Sequence, residues 1–219
     1  MSTDETTWTG GQAAHTLTII GQQEPTADHL RTLHAGYLTD LMRAIKIGTL
    51  PERQVYQKAL GLLPEFATWM PIQRGNHTSA DASRMALEAA GCRISDWAKG
   101  MLGRADWSDT RTELDLVIAS NTDLGFPKGA RLQDTYDRAK EFGLELAPHW
   151  VGPAVREAYK SQPLNEWLVI AMKAIRHSGD WLGVFSVEHY GHGLWLDNAN
   201  GYPASVWHGF RFVFVRPRK

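Results

Sequence analysis

Residues 181–200 read WLGVFSVEHYGHGLWLDNAN. Trp181 to Glu188 and Leu194 to Leu196 are rich in β-branched and aromatic side chains, and the YGHG between them is turn chemistry. The stretch therefore predicts two antiparallel strands joined by a tight connection. Working outward, NANGYP supplies the next turn and Phe210 to Val215 a further strand. With a two-residue period, Phe210, Phe212 and Phe214 share one face and Arg211, Val213 and Val215 the other, so this last strand is expected to be half buried. On the other side, SGD forms a turn before Trp181, and Trp167 to Met172 reads as another strand. Val151 to Tyr159 reads as a short helix, with Pro153 suited to its first turn. These segments together predict an antiparallel sheet.

Further upstream, ELDLVIAS at 113–120 is β-rich, and after NTDLGFPKG a helix is expected from about Arg131 to Phe142, ending at Gly143. Ser79 or Asp81 is placed to cap a helix through Ala90, with Gly91 suited to its C-terminal turn, and Ser95 to cap another through Leu102. Pro71 to Thr78 reads as a connector. Leu30, Leu33, Tyr37, Leu38, Leu41, Met42 and Ile45 recur at helical spacing after Pro25 and Thr26, and a second helix is expected between Pro51 and Pro64. His15 to Ile20 reads as a short strand. The fold class is thus α+β: a helical N-terminal part followed by a C-terminal antiparallel sheet with one or two packed helices. The expected organisation is a flexible tail over 1–12, a mainly helical region over 13–105, and an α+β domain with a Trp-rich antiparallel sheet over 106–219.

The chain has 219 residues, 43% of them hydrophobic and 21% charged, which suits a folded globular protein and not a disordered or coiled-coil one. Lys plus Arg number 23 against 24 Asp plus Glu, so overall charge gives no pull toward phosphate or anionic lipid. Cys92 is the single cysteine, which excludes an intramolecular disulfide and any zinc site of several thiolates. No apolar run approaches the ~20 residues that span a bilayer, and Met1 to Gln12 is polar where a signal peptide would not be. A cytoplasmic, soluble protein without a membrane partner is the expectation.

From about Leu87 onward the sequence resembles a family of uncharacterised bacterial proteins through LEAAGCRISDWAKGML, LDLVIASNTDLGF, YDRAKEFGLELAPHWVGPAVREAY, QPLNEWLVIAM, FSVEHYGHGLWL and RFVFVRPRK. The resemblance covers about residues 87–219 and implies a shared fold without an activity. That family often carries a Cys and an acidic residue where this chain has Ala147 and Trp150, which argues against a catalytic role for that segment.

Glu188, His189 and His192 fall within five residues, with His177, Asp180 and His208 nearby, a composition suited to zinc. The spacing is not that of a HExxH helix, and strand geometry sends His189 and His192 apart unless the turn folds them together. The competing reading is a solvated turn with no cofactor. No nucleophile elbow or phosphate-binding glycine loop occurs, and Cys92 at a helix C-terminus reads as core. Lys128 and Arg131 offer no more than an anion contact at a helix start. The helix pair over 79–103 has a helix-turn-helix outline, but it carries no basic excess and Trp97, Met101 and Leu102 read as core, which argues against nucleic acid.

Five of the nine tryptophans fall in residues 150–219. Trp195, Tyr202 and Trp207 flank the loop DNANGYPAS and are the candidate ligand-binding residues, since loops on rigid sheets often carry recognition. The expected function is a non-catalytic protein that binds a macromolecule or small ligand through these aromatic loops. A metal-dependent hydrolase built on Glu188, His189 and His192 is the alternative, and a DNA-associated regulator a weaker one.

Overall fold

The computed structural model describes residues 10–51, 55–56, 59–60, 64–177, 180–191 and 193–218. The chain divides into two units, 1–56 and 57–219.

The first unit holds helices α1 (Gly10–Gly21), α2 (Ala27–Thr32) and α3 (Leu38–Lys46). The expected strand over 15–20 is the second half of α1, where the Thr18 hydroxyl donates to the Ala14 carbonyl one turn back (2.9 Å). Leu17 and Ile19 are both exposed, so no sheet face rewards alternation there. The helix expected through Leu30 and Ile45 is interrupted at Leu33–Tyr37 by a π-type turn, because Gly36 takes φ of 122°, outside helical geometry. Neither α2 nor α3 contains a buried residue. The helix expected between Pro51 and Pro64 falls largely outside the described residues.

In the second unit the quoted stretch is the central hairpin. Strands β7 (Leu182–Tyr190) and β8 (Gly193–Asn200) pair antiparallel, with Val184 opposite Ala199, Val187 opposite Leu196 and Glu188 opposite Trp195. Around them lie β1 (Met70–Gln73), β2 (Arg93–Ile94), β3 (Glu113–Ser120), β5 (Trp167–Ile170), β6 (Ile175–Arg176) and β10 (Arg211–Arg216). They form one sheet in the order β1-β3-β10-β5-β7-β8-β2, with β6 beside β7. A small two-stranded ribbon joins β4 (Ala130–Arg131) to β9 (Val206–Trp207). The sheet is mixed and not wholly antiparallel, since β10 runs parallel to β5 and β2 parallel to β8. Sequence pattern marks a strand but not its neighbour, and both parallel pairs join segments far apart in the chain.

Helices cover both faces. Helix α6 (Leu132–Glu141) lays Tyr136 edge-on over Phe212 and Phe214, at 6.4 and 6.2 Å between ring centroids. On the opposite face α7 (Val151–Ala158) packs on Phe185, so close that a Cβ at Gly152 would lie 2.7 Å from the Phe185 ring. Phe212, Val213, Phe214 and Val215 are all fully buried, so the last strand is buried on both faces and not on one. Arg211 at its start is exposed and pairs with Glu166 at 2.6 Å.

The two helices expected over 79–103 are present as α4 (Ala80–Ala89), capped by the Ser79 hydroxyl, and α5 (Asp96–Leu102), capped by that of Ser95. Their connection is strand β2, which adds to the edge of the sheet, and not the turn of a helix-turn-helix. The segment expected as a connector at 71–78 likewise contributes β1. Residues 70–102 therefore share the sheet and core of the second unit, where composition had suggested a boundary near 105.

Candidate ligand-binding site

Helix α5 buries Ala98, Met101 and Leu102, an i, i+3, i+4 stripe. Trp97 is one residue off that stripe and is 51% exposed, a correction to its reading as core. Its indole meets the His177 imidazole edge-on at 4.9 Å. His177 begins a turn that its own N–H closes onto the Trp181 carbonyl (2.9 Å). Asp180 adopts φ of 62°, a left-handed conformation that aspartate tolerates, and the chain emerges with Trp181 57% exposed. Tyr202 braces the turn from the other side: its hydroxyl donates to the Asp180 carbonyl (3.2 Å) and its ring meets Trp181 at 6.0 Å.

Trp97, His177, Trp181, Leu182, Asn198 and Asn200 line a slot of about 330 Å³. Asn198 and Asn200 share one face of β8 by strand alternation. Asn200 is engaged, its side-chain oxygen accepting from the Tyr202 N–H at 3.0 Å. The Asn198 side-chain amide makes no hydrogen bond among the described residues, and His177 Nδ1 is buried without a partner. Burial and the nearby Arg104 charge both lower the His177 pKa, so the imidazole is neutral. Gly183 lets this wall close up, since a Cβ there would lie 2.9 Å from Met101 Sδ. None of the six lining residues carries a formal charge at neutral pH.

The three aromatic candidates are not brought together. Tyr202 buttresses the slot. Trp195 projects from the opposite face of β8 to Asn198, where Tyr190 stacks on it (5.4 Å, 11°) and the Arg93 guanidinium lies 5.3 Å from its ring. Trp207 is only 6% exposed and packs on Phe210 and Phe212, so it belongs to the core and not to a loop surface. Trp97 and Trp181, which do line the slot, were missed. The signal for Trp97 was its offset from the apolar stripe of its own helix.

The metal candidates are separated as well. Glu188 and His189 are adjacent on β7 and point to opposite faces. Glu188 accepts from the Ser186 hydroxyl (2.7 Å), and burial, with the Asp197 charge adding, raises its pKa against that hydrogen bond. His189 Nδ1 lies 2.6 Å from the Gln162 carbonyl, and His192 lies outside the described residues. His208 Nδ1 bonds the Lys128 carbonyl at 2.9 Å, and Asp180 pairs with Arg176 at 3.0 Å. No group of three or more His, Cys, Asp or Glu suited to a metal occurs among the described residues.

Two further arrangements look chemical and are structural. Ser83, His77 and Glu157 line up as hydroxyl, imidazole and carboxylate at 3.2 and 2.8 Å. Ser83 and His77 are buried and only the carboxylate reaches solvent, the reverse of what a nucleophile requires. Ala147 and Trp150, for which the sequence argued against catalysis, are both core. No helix among the described residues is long and apolar enough to cross a membrane. No family model, curated protein or solved structure matches the chain.

Proposed function

We propose that the protein is a binding protein whose slot between Trp97 and Trp181 takes a neutral saccharide unit. The observation that carries this reading is a pair of half-exposed indoles at the mouth of a small uncharged slot with an unpartnered amide in its wall. Large exposed aromatics concentrated at a concavity mark binding surfaces. A pyranose presents flat C–H faces that suit the electron-rich face of an indole, and hydroxyls that suit the donor and acceptor of Asn198. With no cation in the lining, a phosphorylated ligand would gain no charge-assisted contact there.

Fluorescently labelled protein applied to an immobilised panel of neutral oligosaccharides tests this. Saturable binding to a subset is expected, with Trp97→Ala and Trp181→Ala each weakening it about tenfold or more, as centrally placed aromatic anchors do. Both substitutions should shift stability by less than about 1 kcal/mol, because both side chains are half exposed. Absence of binding across the panel, or binding that survives both substitutions, overturns the reading.

A further inference from the structure

A separate groove of about 550 Å³ lies beneath α6, and the only lining residue it shares with the slot is Leu182. Its floor and walls are apolar, from Leu132, Leu144, Leu146, Met172 and Phe214, and Leu146 is half exposed at its mouth. Within this apolar surface lies the buried Tyr136 hydroxyl, whose oxygen the Met172 backbone approaches and whose proton has no acceptor among the described residues. Burial raises its pKa far above the ordinary range, so the group is a neutral phenol with a proton to donate.

The rim carries two carboxylates, Asp137 and Glu145, and two ammonium groups, Lys140 and Lys173. Of its two carboxylates, Asp137 accepts from the Gln133 side chain (2.9 Å) and Glu145 pairs with Arg111 (3.0 Å). Lys173 is exposed, and its charge acts on Asp106 without closing an ion pair within 4.0 Å among the described residues. Its carbonyl is fixed by His149 Nε2 at 2.9 Å, which anchors the backbone that carries the charge. The groove thus offers an apolar body, a buried hydroxyl whose proton has no acceptor, and an exposed ammonium at its rim.

We propose that this groove binds an aliphatic carboxylate, its chain along Leu144, Leu146 and Met172 and its carboxylate meeting the Tyr136 hydroxyl and the Lys173 ammonium. The shared chemistry is that of short fatty acids and of free acyl chains released from lipid. A buried hydroxyl donating to a carboxylate is a charge-assisted bond, and the Lys173 contact is an exposed ion pair.

Calorimetric titration of the full chain with hexanoate, octanoate, decanoate and palmitate tests the proposal. One equivalent should bind, with affinity rising about fourfold per methylene from hexanoate to decanoate, the gain expected for burying each CH₂. A plateau at decanoate identifies a short acid as the fitting ligand, and a continued rise to palmitate identifies a lipid acyl chain. Tyr136→Phe, which deletes only the hydroxyl, should leave the fold intact and weaken decanoate about tenfold. Lys173→Gln should weaken it two- to fivefold at low salt and less at high salt. Leu146→Trp, at the half-exposed mouth, should block entry. Decan-1-ol binding as tightly as decanoate, a decanoate affinity unchanged in Tyr136→Phe and Leu146→Trp, or no binding at all overturns the proposal.

Discussion

At the residue scale, adjacent positions of one strand have opposite fates. Phe212 is enclosed by Tyr136, Trp207 and Phe214, while Arg211 before it is exposed beside Glu166. Phe212→Ala should cost about 3–5 kcal/mol, the range for emptying a buried phenylalanine site. Arg211→Ala should cost less, about 1–3 kcal/mol, because it leaves the largely buried Glu166 carboxylate without its cation. Urea unfolding of the two variants checks the contrast, and equal losses would indicate a register one residue away from that described. The Phe face was legible from the two-residue period. The burial of Val213 and Val215 was not, because a strand covered on both faces loses the alternation that reveals one face. Trp207 misled for a different reason: Asn, Gly and Pro residues around it mark a turn, yet a turn on a sheet face can point an aromatic inward.

At the scale of elements, helix caps were the most reliable signals. Ser79 and Ser95 start α4 and α5 where their hydroxyls predict, and β3 and β5 lie within the apolar runs that announced them, while β7 runs on to Tyr190, β8 to Asn200 and β10 to Arg216, the first two into residues expected as turns. The short edge strands β1 and β2 were invisible, since four and two residues carry no measurable period. They matter, because they tie α4 and α5 to the sheet that carries Asn198 and Asn200. A fragment of residues 106–219 lacks β1, β2, α4 and α5 and would uncover Leu196 and Gly183 on the face α5 shields. It should therefore melt without cooperativity and bind a hydrophobic dye, whereas residues 64–219 should unfold in one transition. A sharp thermal transition in the shorter fragment would contradict the account of a single core. The slot itself was not legible as a set. Its lining comes from a helix, a turn and a strand spread over more than a hundred residues, brought together by the pairing of β2 with β8 and of β7 with β8.

At the scale of the whole molecule, the histidines set the response to acid. His77 and His149 are buried, and burial outweighs the Glu157 hydrogen bond to the first and the Lys173 carbonyl bond to the second. His149 Nδ1 also accepts the Asp106 N–H at 2.7 Å, an acceptor role that a protonated ring loses. With His177, all three have pKa values lowered from 6.5, so below that pH the unfolded chain takes up protons that the folded chain refuses. Stability should be complete above about pH 7 and should fall as pH drops below 6.5, by up to about 1.4 kcal/mol per pH unit for each histidine. Urea midpoints at pH 7.5 and 5.5 check this, and equal midpoints would show the histidines to be accessible. Nine tryptophans give nine indole N–H signals in a ¹H–¹⁵N spectrum, and Trp97→Phe and Trp181→Phe assign two of them. Adding a saccharide selected from the panel should shift those two signals saturably and leave those of buried Trp150 and Trp207 in place. Shifts confined to Trp195 and Trp167, or no shift at saturating sugar, would contradict the assignment of the slot as the binding site.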